Sequence, residues 1–546
     1  MLNAHMVRLL FILIFPIILT ACGPREQLAT IAAREKILLK GNGTEPDTLD
    51  PHFAQSTTEH HVLMALFEGL VEEHPDNDEE VIPGVAERWE FLDNASRWIF
   101  HLREKARWSD GEPVTAGDFV FAYQRQLTPA TGAMYASMLY KLKGAEDFHQ
   151  GRSQDFASVG VKALNDRTLE LTLAGPMPYF LKMLPHFTWY PLPRHVLPKY
   201  GGISDRYNQW TRPGKIVSNG AFRLKEHVFK KEIRMERNPH YWDAATVKLN
   251  GIRFFPITSD ASEDRMFRTG RLHVTEIVPL DRIPHYKQNF PNILHLEPYL
   301  GVYFFRLNLK RPPVDNPKVR WALALALDRK AICDNVLRGG QIPAYGLTPP
   351  MTGYEAPRPV THDPEKARRL LAEAGYPGGK DLPRLEIHVS DTESNKKMAE
   401  VVQSMWKTEL GVQASIRLED SSVFYNTQNR MDYQISRAGW IADYVEPLTF
   451  IDMWTTGNEN NNTGWSSPEF DQLIRDSYRE GNPAARLAIL HRAEELFMAD
   501  LPIVPIYFYT RQYLLHPAVS GWGKKVMDNH PYKFVDLEDV PLPEMH

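Results

Sequence analysis

The chain has 546 residues, 43% hydrophobic and 24% charged, an ordinary globular composition that excludes a disordered chain and a membrane bundle. Single cores stop growing at roughly 250–300 residues, so two or three domains are expected. With 63 basic against 68 acidic residues and no Lys/Arg run, the chain carries no electrostatic footprint for nucleic acid.

The first signal is export. Arg8 supplies a positive start, and Leu9 to Leu19 form an apolar stretch too short to span a bilayer as a mature helix. It ends in Leu19-Thr20-Ala21-Cys22-Gly23, which resembles a bacterial lipobox. That resemblance implies a lipoprotein signal peptide over residues 1–21 and an acylated Cys22, and so an envelope protein held to a membrane only by its lipid. An ordinary signal peptide or a buried apolar helix is the alternative reading. Cys333 is the one other cysteine, so an acylated Cys22 leaves no intramolecular disulfide. Cys333 sits in an apolar helical stretch and reads as a small buried hydrophobe.

Residues 22–36 read as a polar tether. Lys36 to Lys40 is a short strand closed by Gly41-Asn42-Gly43. His61 to Leu70 is apolar at helical spacing. Trp98, Phe100 and Leu102 alternate with polar residues as a half-buried strand should. Thr115 and Asp118 have the spacing of a capping box that opens a helix through Tyr123. Pro343 to Pro359 reads as a surface connection or hinge. In the second half, Asn316-Pro317 and Asp363-Pro364 each start a helix. Leu385–Ser390, the 395–410 helix stopped by Gly411, and the 412–418 strand form a parallel βαβ unit. Ligands in open α/β sheets bind beyond the carboxyl ends of strands, which directs attention to the loops there.

Catalytic grammar is absent: there is no H-E-x-x-H, G-x-S-x-G, P-loop or C-x-x-C. Glu59-His60-His61, with His52, is the one local hint of metal. Adjacent helical histidines point about 100° apart and do not easily share an ion, so no metal site and no cofactor are expected. An envelope hydrolase remains a rival, because triads need no local motif.

The most informative stretch is Arg437-Ala438-Gly439-Trp440-Ile441-Ala442-Asp443, expected in the loop after a strand over 433–437. It brings together an acid, a base, an aromatic ring and a glycine that admits close backbone approach. A zwitterionic ligand needs such a set: an acid for its ammonium, a base for its carboxylate and backbone groups between.

Several blocks make the chain resemble the periplasmic oligopeptide-binding proteins of ABC importers, in the wider family that also binds dipeptides and nickel chelates. They include Asn42-Gly43-Thr44-Glu45, Leu66-Phe67-Glu68-Gly69-Leu70, Trp108-Ser109-Asp110-Gly111, Asn219-Gly220-Ala221-Phe222 and Pro343-Ala344-Tyr345-Gly346. The resemblance implies an α/β, two-lobed fold of the flytrap type with three domains and mixed sheets flanked by helices. It assigns residues 37–57, 190–300 and 511–546 to a lobe I core, 58–189 to a lobe I accessory domain and 301–510 to lobe II. It also implies a monomer that binds a short peptide and delivers it to permease subunits of an ABC transporter. Asp443 is the implied partner of the peptide ammonium, Arg437 of its carboxylate, and Trp440 a pocket wall. Gly439, Ile441, Glu45 and Tyr135 match further pocket positions. The best-known oligopeptide binders have cysteines where this chain has Gly301 and Ile441. Leu337, Asn395, Gln428 and Ser421 likewise stand in place of a lysine, a histidine, an arginine and a tryptophan. These replacements point to a narrower length class or to a modified or cell-wall peptide. A same-fold binder of another solute, such as a nickel chelate, is the second reading.

Overall fold

The computed structural model describes residues 26–545, so the expected signal peptide and Cys22 lie outside the described residues. Three larger sheets organise the chain in two lobes. The first lobe holds a four-stranded sheet in the order Ile37–Gly41, Gly251–Phe255, Glu232–Arg237, Phe222–Val228. It also holds an antiparallel sheet in the order Ala86–Leu92, Arg97–Leu102, Thr168–Thr172, Val161–Asn165. The second lobe is built on a six-stranded mixed sheet. Its order is Ile342–Pro343, Ile503–Leu514, Leu294–Leu307, Ile435–Ile441, Leu385–Ser390, Ala414–Glu419.

Local chemistry accounts for many boundaries. Thr115 N donates to Asp118 Oδ2 at 2.8 Å, closing the box that starts the Ala116–Leu127 helix. Asn316 Oδ1 accepts from Lys318 N at 2.9 Å at the start of Pro317–Leu325. Gly411, at φ 70°, ends Glu393–Leu410 in the left-handed conformation that glycine adopts without strain. Leu385–Ser390 pairs in parallel with Ala414–Glu419, the crossover that strand, helix and strand imply. Cys333 is buried, and burial pushes its thiol up to about 12.

Four sequence expectations change. Residues 28–34, expected within a tether, form a helix whose Ala29, Ala32 and Ala33 are buried. A small-residue face lets that helix pack closely, and Ala29 N bonds Gly270 O just beyond the Asp260–Arg268 helix. The helix expected over 61–70 is Thr57–Leu66, because Ser56 and Glu59 make a capping box upstream. The strand expected to end at Arg437 runs to Ile441, because Leu294–Leu307 pairs with it as far as Gly301 opposite Ile441. The Pro343–Pro359 stretch is no free surface connection. Ala344 N bonds Ile506 O, while Thr348 and Tyr354 bond the buried Glu494 carboxylate.

The lobes are joined by two long strands. Leu294 to Pro298 pairs with Thr510 to Leu514 beside the first lobe, where Thr275 N bonds Leu514 O. After an irregularity between Pro298 and Val302, the same strands pair from Val302–Arg306 to Ile503–Phe508 inside the second lobe. A break in the ladder is where a paired ribbon bends most easily.

Candidate functional site

The end of the Ile435–Ile441 strand is the foundation of the site. Leu385–Ser390 covers one edge of it only at Ile435 and Ser436, while Leu294–Leu307 covers the other throughout. From Arg437 onward one edge therefore has no strand partner. Backbone groups alternate between edges along a strand. Ala442 N is spent on Leu300 O, so Gly439 and Ile441 turn their N–H and C=O toward the open edge. Arg437 O, on that same edge, already accepts from Gln428 Nε2 at 2.7 Å.

That edge borders a cavity of about 360 Å³ between the lobes, with Tyr135, His186 and Arg511 on one side and Arg437 to Asp443 on the other. Contacts across the cleft hold it shut. Ser137 donates through N and Oγ to Glu459 Oε1 at 2.9 and 3.0 Å, and Lys141 Nζ meets Asp452 Oδ2 at 2.5 Å. The Tyr135 and Trp440 rings lie 6.0 Å apart across the same gap. A larger, more open hollow of about 1410 Å³ lies against the joining strands at Phe508 and Thr510, where Arg486 and Glu446 already pair at 2.7 Å. The enclosed cavity, with unsatisfied charge and a free strand edge, is the better site despite its smaller volume.

Asp443 stands at one end. Its backbone N donates to Thr449 Oγ1 at 2.9 Å, and His186 Nε2 lies 3.4 Å from Oδ1. Burial raises its pKa, with the His186 and Thr449 interactions opposing that rise. A positive ligand group supplies what the site lacks. Arg437 stands at the other end, above the Tyr303 ring at 5.0 Å, and donates Nη2–H to Tyr509 Oη at 3.0 Å. Its Nε has no hydrogen-bond partner among the described residues. A Cβ at Gly439 would come within 2.5 Å of Tyr509 Oη, so only glycine lets that tyrosine lie over the strand and hold Arg437.

Six of the seven residues singled out as ligand contacts line this cavity: Tyr135, Arg437, Gly439, Trp440, Ile441 and Asp443. Glu45 does not. Its carboxylate is bound by His227 Nε2 at 2.6 Å and Lys230 N at 3.0 Å, which fixes it against a first-lobe strand. Gly301 and Ile441 face each other in register, and the Ile441 side chain fills the space a Cβ at Gly301 would need. A close pair of apolar partners thus occupies the place where the resembled proteins carry cysteines. His60 bonds Asn529 at 2.9 Å and His61 meets Asp528 at 3.4 Å. Burial lowers the pKa of both, His60 to about 3.

Sequence reasoning missed the groups that come from distant strands. Arg511 closes a buried network with Glu276 at 3.0 Å and Asp528 at 2.6 Å, and Lys40 adds a contact to Glu276 at 3.1 Å. Tyr509, His186 and Arg306 also line the cavity. No local motif surrounds any of them.

Comparison with known proteins identifies the family and the fold. Residues 80–462 match the model of the bacterial extracellular solute-binding proteins, family 5 middle. The periplasmic oligopeptide-binding protein OppA of Salmonella typhimurium is 38% identical over 512 residues, covering 91% of this chain and 92% of its own. The structure of Haemophilus influenzae OppA in complex with RPPGFSPFR superposes with a TM-score of 0.87 at 33% identity, covering 92% of this chain and 99% of that one. The Escherichia coli murein tripeptide binding protein MppA is 30% identical in two structures. One superposes at 0.86, covering 92% of this chain and 98% of that one. Its unliganded open form reaches only 0.63, covering 93% and 98%. A drop of that size at unchanged sequence reflects how the lobes are placed, so this chain stands in a closed arrangement.

Proposed function

The chain belongs to the bacterial extracellular solute-binding proteins of family 5, and on that premise we propose that it captures short peptides between its lobes for an ABC importer. The observation that carries this reading is the closed cavity with Asp443 at one end, an unpaired strand edge along its length and Arg437 at the other. A peptide lying antiparallel to that edge would put its ammonium at Asp443 and its carboxylate at Arg437, with Gly439 and Ile441 pairing its backbone. This is strand addition, in which main-chain bonds supply affinity whatever the side chains. Residues 437 to 443 span at most about 20 Å at about 3.3 Å per residue, which limits the ligand to a short peptide.

A ligand that touches both lobes favours the closed state by its differential affinity, and permease subunits would read that state. Cys22, acylated, would hold the protein in the envelope, where its relative OppA is named as periplasmic. The chain acts here as a monomeric binder with no reaction of its own. Native mass spectrometry of protein purified from its host is the test. Co-purifying masses that fragment as short peptides support the reading, and a single non-peptide solute overturns it.

A further inference from the structure

Three guanidinium groups border the cavity. Arg511 is paired with Glu276 and Asp528, the peptide reading uses Arg437, and the third is Arg306, on the Leu294–Leu307 strand opposite Ser436. It is 6% exposed, and its Nε has no hydrogen-bond partner among the described residues. No carboxylate among those residues faces it; tyrosines and the like-charged Arg437 do. The Phe304 and Trp454 rings, each 5.9 Å from its guanidinium carbon, steady a cation without neutralising it. Burial lowers its pKa, the direction expected for a cation held in a dry site without an anion.

The charge of the cavity does not close with a simple zwitterion. Lys40, Arg511, Glu276 and Asp528 cancel within their own network. That leaves Arg306, Arg437 and Asp443, a net charge of +1. A peptide with one ammonium and one carboxylate leaves the excess in place, and uncompensated buried charge is costly. One more carboxylate removes it.

The topology says where that carboxylate would sit. Phe305 stands opposite Arg437, and Arg306 opposite Ser436, so the two arginines project to opposite faces of the sheet. Side chains of an extended peptide alternate in the same way. Neighbouring peptide residues can therefore present one carboxylate to each arginine, in the planar geometry that guanidinium groups favour.

We infer that Arg306 is a second carboxylate-recognition site, and that the ligand is an acidic short peptide carrying one ammonium and two carboxylates. This rests on the peptide reading above.

Isothermal calorimetry tests it with two matched pairs, Ala-Glu-Ala against Ala-Gln-Ala and Ala-Ala-Glu against Ala-Ala-Gln. The wild-type protein should bind at least one Glu peptide tenfold or more tightly than its Gln partner. Arg306→Gln should bring that ratio below threefold while the Gln peptides keep their affinity, and Arg306→Lys should restore part of it. Ratios below threefold for both pairs in the wild type overturn the inference without any variant, as does a preference that survives in Arg306→Gln. Should Arg306→Gln fail to fold, the wild-type ratios and Arg306→Lys still decide. Binding of none of the four peptides would instead sink the peptide reading itself.

Discussion

Replacing Asp443 by Asn keeps the shape of the side chain and removes its charge. An ammonium about 3 Å from a carboxylate gains about 5.5 kcal/mol at an effective dielectric constant near 20. Dehydration of the ammonium offsets part of that gain. Two features of the site also hold the net value down: His186 already lies 3.4 Å from the carboxylate, and the side chain keeps 11% exposure. About 3 kcal/mol remains, the lower end of the usual range for breaking a buried pair, and it corresponds to about a hundredfold in Kd. Calorimetry with tri-alanine and N-acetyl-tri-alanine, on wild type and Asp443→Asn, isolates the pairwise part. Acetylation should weaken binding about a hundredfold in the wild type and less than about threefold in the variant. Equal acetylation penalties in the two proteins would remove Asp443 as the ammonium partner, even if the variant bound both peptides more weakly.

Two further outcomes follow from contacts outside the ligand ends. Lys141→Met deletes the bridge to Asp452 across the cleft. Peptide affinity should fall about tenfold, on the scale of about 1.4 kcal/mol, and small-angle scattering of the peptide-saturated protein should show a larger radius of gyration. An unchanged affinity and radius would mean that the bridge does not favour closure. Glu263 is fully buried, and burial pushes its carboxyl up from 4.5 to about 8. The folded state then holds a proton that the unfolded chain releases above about pH 4.5. This contribution to stability is complete below that pH and is lost as pH rises through about 8. Urea unfolding at pH 5 and pH 8 should show a smaller loss in Glu263→Gln than in the wild type, by up to a few kcal/mol. Equal losses would place the titration elsewhere.

The candidate site was legible in the sequence to the extent that it was local. Arg437, Gly439, Trp440, Ile441 and Asp443 sit within seven consecutive residues, so their proximity needed no tertiary information. Tyr135 required the family resemblance, because it reaches the cavity from the opposite lobe. Glu45, proposed on the same resemblance, does not line the cavity, because the sequence-distant His227 and Lys230 N bind its carboxylate. Arg306 could not have been found, since nothing in Phe304-Phe305-Arg306-Leu307 distinguishes a ligand cation from one that pairs within the protein.

The sequence by itself determined the elements whose signals are short-range. These are the capping residues at Thr115 and Asn316, the glycine stop at Gly411, and the period-2 strand and helix that make a parallel crossover. Each depends on hydrogen bonds or steric limits within a few residues, which composition and spacing record. Only the tertiary structure decided that the Ile435–Ile441 strand loses a neighbour after Ser436, that Ala29, Ala32 and Ala33 bury a helix expected to be a tether, and that Arg306 and Arg437 share one cavity. Strand length is set by its partner and charge balance by residues far apart in the chain, so neither leaves a local pattern to read.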